Sequence, residues 1–252
     1  ESFNTCCSLG ISFLKVDKID EAKKYFIKAN QIDPSKSEPY IRLAVLYSQN
    51  NEYGDAIKSL EKAISIEQTN PQLFFLGGTI FSTMKNYDDA FLFYNQCLTL
   101  DEYHIDCLRT ISQLCIQIEE FEKATFYLKR LLTQNPNDPD ILNNAGVSSL
   151  RMNKVDEAKK FFKKVLKLKP KHIDSTINLA HIYTKEENYD VAKQLLLDAL
   201  EIDPNSKLAK IHLASLSLYE GNVDNALSDL TKLEEENIED VSVYINLGNA
   251  HL

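Results

Sequence analysis

Several sets of side chains in this 252-residue chain are of types that bind or react, and their spacing decides what each can do. Cys97, His104, Cys107 and Cys115 fall within 19 residues. Thiolates and imidazoles are zinc ligands, but this spacing matches no common zinc motif, and no metal is expected. His181 and His212 have no carboxylate or thiol placed to complete a ligand set, so they read as polar lining. Asn144, Asn178 and Asn246 are separated by 34 and then 68 residues. A primary amide both donates and accepts hydrogen bonds, so amides repeated at that interval suit a peptide backbone and make little demand on its side chains. Arg151, Lys154, Lys159, Lys160, Lys163, Lys164, Lys167, Lys169 and Lys171 stand against only Asp156 and Glu157. An acidic partner or phosphate groups would satisfy such a cluster; a solvated helix face would also present it. There is no phosphate-binding glycine loop, no Gly-x-Ser-x-Gly and no paired-carboxylate site on a cleft. Neither a catalytic residue nor a cofactor is expected, and the chain does not read as an enzyme.

A repeat sets the elements that carry these residues. Ala22, Ala56, Ala90, Ala124, Ala158, Ala192 and Ala226 each stand 34 residues from the next. A fixed period of that size signals one small unit copied end to end. With each alanine at unit position 20, full repeats begin at residues 3, 37, 71, 105, 139, 173 and 207, and helix A of an eighth begins at 241. A single array over 3–252 is therefore expected. Position 8 is small throughout (Gly10, Ala44, Gly78, Ser112, Gly146, Ala180, Ala214, Gly248). Position 24 is large and apolar (Phe26, Leu60, Tyr94, Leu128, Phe162, Leu196, Leu230). Apolar residues at positions 4, 7 and 11 form one helical stripe, and positions 17, 20, 24 and 27 form a second. Each unit is thus predicted to be an antiparallel pair, helix A then helix B, whose small residues let the backbones approach closely. Bulk there would overpack at a cost of about 1–3 kcal/mol. Turn-prone pairs such as Asn50-Asn51 and Gly221-Asn222 separate the helices, and Asp or Glu in the first turn of helix B suits the helix dipole. Pro34, Pro136, Pro170 and Pro204 fall just past helix B, where a helix cannot continue. Pro39, Pro71 and Pro139 lie at the start of helix A, where proline is tolerated.

With this period, the small residues at 8 and 20 and the proline at 32, the chain resembles the tetratricopeptide repeat (TPR) family across residues 3–252. The run Tyr244-Ile245-Asn246-Leu247-Gly248-Asn249-Ala250 is very near that family's consensus. The resemblance implies an all-α fold, a right-handed superhelical α-solenoid of helix pairs, with helix A lining a concave groove and helix B covering the convex side. It also implies that groove residues occupy positions 2, 5, 6, 9, 12 and 13 of helix A. Transferred to this chain, those positions divide it. The front of the array offers an apolar groove, Ile41, Val45, Phe75 and Leu76, either packed against a neighbouring helix A or open to a partner. From the fourth repeat the lining is polar: Arg109, Gln113, Asn143, Asn144, Asn178, His181, His212, Asn246 and Asn249. Asn144, Asn178 and Asn246 share position 6, similar to the asparagine ladder of the repeats in O-linked N-acetylglucosamine transferases; they either bind peptide or solvate the groove. Lys160, Lys163, Lys164 and Lys167 fall on helix B and thus on the convex side. The carboxylate clamp that TPR proteins use for Hsp70 and Hsp90 tails needs Lys and Asn at set positions of three consecutive repeats. No three repeats here supply them, so that partner class is not expected.

The expected function is a protein–protein interaction scaffold that holds an extended or helical segment of another protein. Two alternatives are a substrate-docking arm of a larger enzyme, such as an O-linked N-acetylglucosamine transferase, and a structural subunit of a large complex, such as a cell-cycle ubiquitin ligase or a ciliary transport assembly. The net charge of -9 disfavours nucleic acid as a partner. No apolar run approaches the roughly 18 residues that would cross a membrane. The chain begins at Glu1 rather than Met and stops within an eighth repeat, so a piece of a longer chain is expected. An odd count of 5 cysteines without disulfide-framework spacing, and no visible secretory signal, point to a reducing compartment, cytoplasmic or nuclear.

Overall fold

The computed structural model describes residues 2–235, and among them every regular element is an α-helix. Contacts divide the chain into a first unit ending at Leu114 and a second beginning at Cys115. The first holds α1 (Phe3–Lys15), α2 (Ile19–Ile32), α3 (Glu38–Gln49), α4 (Tyr53–Ile66), α5 (Pro71–Thr83), α6 (Tyr87–Leu100) and most of α7 (Ile105–Gln117). The second holds α8 (Phe121–Gln134), α9 (Pro139–Arg151), α10 (Val155–Leu168), α11 (Ile173–Lys185), α12 (Tyr189–Ile202), α13 (Lys207–Tyr219) and α14 (Val223–Glu235). Odd-numbered helices are helix A of each repeat, and even-numbered ones are helix B.

A single turn design links helix A to helix B in each repeat. Position 15 is left-handed throughout: Asp17, Asn51, Lys85, Glu119, Asn153, Glu187 and Gly221 all have φ between 56° and 79°. The next residue's N–H reaches back to the carbonyl of position 11, as from Glu52 to Tyr47 (2.8 Å), Lys154 to Ser149 (2.8 Å) and Asn222 to Ser217 (2.8 Å). The N–H of position 15 bonds position 12, as from Lys85 to Ser82 (2.9 Å). These two bonds make a Schellman cap, which satisfies the last carbonyls of helix A and turns the chain at once into helix B. At the other end, Ser2, Asn70, Asp138, His172 and Ser206 cap helix A by accepting backbone N–H groups with their side chains.

The small positions are small because of what faces them. A Cβ built on Gly10 would lie 2.8 Å from the Phe26 ring, on Gly78 2.4 Å from Tyr94, and on Gly146 2.6 Å from Phe162. Where position 24 is leucine, position 8 has room for a Cβ: Ala44 shares a core cluster with Leu60, Ala180 with Leu196 and Ala214 with Leu230. Within a repeat, then, glycine pairs with an aromatic ring and alanine with leucine, and the filled volume stays nearly constant. Position 20 is fully buried in all seven repeats.

Candidate binding surface on the first helices of the repeats

The sequence-predicted groove residues belong to helix A, and the two units treat them differently. In the first unit, Ile41 and Leu76 pack against the core formed by Ala56, Leu60, Leu73 and Ile80. Phe75 lies between two rings, its centroid 6.2 Å from Tyr94 and 5.3 Å from His104. His104 is held in turn by the backbone N–H of Cys107, which donates to Nδ1 at 3.1 Å, and by Gln72 at Nε2 (3.1 Å). Val45 and Ile41 line a cavity of about 440 Å³ with Leu14, Ile19 and Leu46, and Glu38, Arg42 and Gln49 stand at its polar side. Arg42 pairs with Glu38 at 3.5 Å. Arg109 is half-buried and Gln113 exposed, both on α7.

In the second unit the same face adds amides and imidazoles to buried apolar residues such as Ile177 and Ile211. Asn144 on α9 and Asn178 on α11 occupy the same repeat position and are half-buried. Neither side chain has a hydrogen-bond partner among the described residues. Their neighbour Asn143 is engaged: its Oδ1 accepts from Ser175 Oγ at 2.8 Å, which ties α9 to α11. His181 and His212, on α11 and α13, meet edge to face with centroids 5.5 Å apart. Burial lowers the pKa of His181, and the charges of Lys185 and Arg151 lower it further, so the ring favours its neutral, donor–acceptor form. Lys185 donates from Nζ to Tyr219 Oη at 3.2 Å, joining the ends of α11 and α13. Asn246 and Asn249 lie outside the described residues.

Sequence reasoning missed the imidazole that orders this region. His172 is buried; its Nδ1 accepts from the Ser175 N–H at 3.2 Å and its Nε2 lies 3.5 Å from Asp140 Oδ1. The cap of α11, the first turn of α9 and the Asn143–Ser175 bond thus form one network, which holds the two helices at a fixed register. A signal was present: His104 and His172 stand two periods apart and play the same capping part, each reaching position 2 of the preceding repeat. A second cavity of about 910 Å³ opens beside His181, lined by Leu150, Ile182, the acids Asp156, Glu157 and Glu186, and the lysines Lys154, Lys160 and Lys185.

The remaining candidates sit elsewhere. Lys160, Lys163, Lys164 and Lys167 are exposed on α10. Cys97, Cys107 and Cys115 are fully buried, where cysteine packs as a small apolar side chain. Cys107 donates to the Tyr94 carbonyl at 3.5 Å, and burial pushes the Cys115 thiol up to about 12.

Residues 108–242 match the family model described as the cilia and flagella-associated protein 70 middle TPR-like domain. Residues 49–131 match that of anaphase-promoting complex, cyclosome, subunit 3, and residues 13–74 a tetratricopeptide repeat model. No curated protein matches the chain by sequence. Among solved structures it is similar to YrrB, described as a TPR protein with an unusual peptide-binding site, at 26% identity over 73% of this chain and 95% of that one, with a TM-score of 0.62. It is also similar to a tetratricopeptide repeat protein of Parabacteroides merdae (14% identity, 99% of each chain, TM-score 0.72). The C-terminal part of a TPR protein of Cytophaga hutchinsonii gives 18% identity, 94% of this chain and 98% of that one, with a TM-score of 0.74.

Proposed function

We propose that this chain, which belongs to the tetratricopeptide-repeat family and within it to the cilia and flagella-associated protein 70 middle TPR-like domain family, is a protein-interaction scaffold that takes an extended partner segment on the helix A face of its second unit. The observation that carries this reading is the pair Asn144 and Asn178. Two half-buried primary amides stand at the same position of consecutive helices A, and neither is bonded to any described residue. Each offers an acceptor and two donors, the set that a peptide backbone requires. The neighbouring network of His172, Asp140, Ser175 and Asn143 keeps the two helices in register, so the amides are presented preorganised. The similarity to YrrB, whose described feature is a peptide-binding site, supports a peptide-binding role.

Selection of linear peptides from a random phage library against the chain tests the reading. Peptides should be recovered, and Asn144→Ala/Asn178→Ala should weaken them while leaving helicity unchanged. Selected peptides that bind the double variant as tightly as the parent would sink it.

The match of residues 49–131 to anaphase-promoting complex subunit 3 favours a second reading, a rigid subunit of a multi-subunit complex, in which other subunits occupy these faces. In either reading the chain acts by binding, and its buried free thiols suit a reducing compartment.

A further inference from the structure

We infer that the outer face of α10 is a second docking surface, separate from the amide face, and that its partner is a short acidic polypeptide segment. The apolar side of this helix is already used: Ala158, Phe162 and Val165 are fully buried. Its other side carries Lys160, Lys164 and Lys167 at spacings of four and three, which places them on one stripe, with Lys163 beside it. Like charges at that spacing repel, and only Lys160 has acids at helical spacing, Asp156 and Glu157. Lys160, Lys163 and Lys167 form no ion pair among the described residues. Lys164 meets only the Pro136 carbonyl, at 2.7 Å, and Lys163 lies over the Tyr183 ring at 5.8 Å. By contrast Lys159, one residue from the stripe, is paired with Glu186 at 2.7 Å. Four ammonium groups without an ion pair among the described residues, on one helix face of a chain of net charge -9, make a local reversal of sign that an anionic partner would complete.

The chemistry narrows the partner. Lipid insertion needs an exposed apolar flank, and the apolar flank of α10 at Ala158, Phe162 and Val165 is in the core, leaving only Leu168 exposed at its end. The stripe carries no arginine, the residue that grips phosphate through two parallel bonds, whereas ammonium groups accept carboxylates in many geometries. Its extent fits a single strand of charge. From Lys160 to Lys167 the helix rises about 10 Å, the length of about three residues of extended chain. Asp156 and Glu157 close the basic tract at the start of the helix, and Lys169 and Lys171 prolong it beyond the end.

Fluorescence anisotropy with a labelled ten-residue glutamate peptide tests this. The chain should bind it at 50 mM salt, at least tenfold more weakly at 300 mM, and at least tenfold more weakly in Lys160→Gln/Lys163→Gln/Lys164→Gln/Lys167→Gln at equal helicity. Asn144→Ala/Asn178→Ala should leave this binding unchanged, so failure here and failure of the amide-face reading are separable. Equal binding of the peptide by parent and quadruple variant would overturn the proposal. So would tighter binding, at equal salt, to a ten-nucleotide RNA or to vesicles containing phosphatidylserine.

Discussion

Positions 5 and 6 of helix A differ between α3 and α5 of the first unit and α9 and α11 of the second. In the first, α3 and α5 place Ile41, Phe75 and Leu76 there, and packing absorbs all three, two against the core and one between Tyr94 and His104, while Arg42 stays at the surface and pairs with Glu38. In the second, α9 and α11 place Asn143, Asn144 and Asn178 at those positions, together with Ile177, which is buried in the core. One amide bonds the neighbouring helix and two have no hydrogen-bond partner among the described residues. The backbone frame is the same in both units, with the same capped turn and the same buried alanine. An apolar side chain at a half-buried position gains by leaving water, so it settles on the nearest neighbour. A polar one gains little there and remains available to a partner. Under the proposed function, the apolar side chains of the first unit's helix A face serve stability and the amides of the second serve recognition.

The sharpest way to break this comparison is a pair of truncations read for stability. Phe75→Ala should cost about 2 kcal/mol, below the range for a fully buried ring because Phe75 is half-buried. Asn144→Ala should stay within about 0.5 kcal/mol, as for a surface change. Denaturant unfolding of both variants checks this, and equal losses would remove the distinction. Read for binding, the order reverses. Asn144→Ala/Asn178→Ala should weaken a selected peptide by about 2 kcal/mol, roughly 30-fold, from two hydrogen bonds, while Phe75→Ala leaves it unchanged; titration calorimetry measures both.

The third effect is smaller and belongs to the second unit alone. The folded state lowers the pKa of His181, so the unfolded chain binds the proton more readily. The stabilisation is present above the unfolded pKa near 6.5 and is lost as pH falls through the folded value. The melting temperature should therefore drop as pH is lowered from 7.5 to 5.5, and His181→Gln should flatten that drop. A pH profile identical in the variant would exclude His181 as its source. The smallest effect compares the turns. Lys85, in the first unit, is left-handed without the side chain for it, so Lys85→Gly should stabilise by about 1 kcal/mol. Asn153, its counterpart in the second unit, tolerates that conformation, and Asn153→Gly should gain only about 0.3 kcal/mol. Thermal melts of the two variants decide whether the turns differ as their residues do.

Much of the fold is legible before any coordinates. The alanine register locates helix B, which begins three residues before each alanine in all seven repeats. The pairing of Gly10 with Phe26, Gly78 with Tyr94 and Gly146 with Phe162 is also written in the residue types, as an alternation in size at positions 8 and 24; its reason appears only when a Cβ is built and meets the ring. The site is less legible. Asn143 and Asn144 are adjacent and identical in type, yet one is bonded and the other unpaired. Which amide is used depends on Ser175, 32 residues on, and on the cap at His172 that fixes its backbone.

What this sequence determined by itself is everything that local pattern and period control: helix pairs, their boundaries, their turns and the residues that must be small. These follow from interactions within one repeat, where spacing along the chain translates directly into spacing on a helix. Only the tertiary structure decided which polar and charged side chains are spent and which remain: Asn143 tied and Asn144 unpaired, Lys159 paired and Lys160 not. Those outcomes depend on atoms contributed by the next repeat at distances of about 3 Å, the range over which a hydrogen bond exists or does not, and residue order alone leaves that distance undetermined.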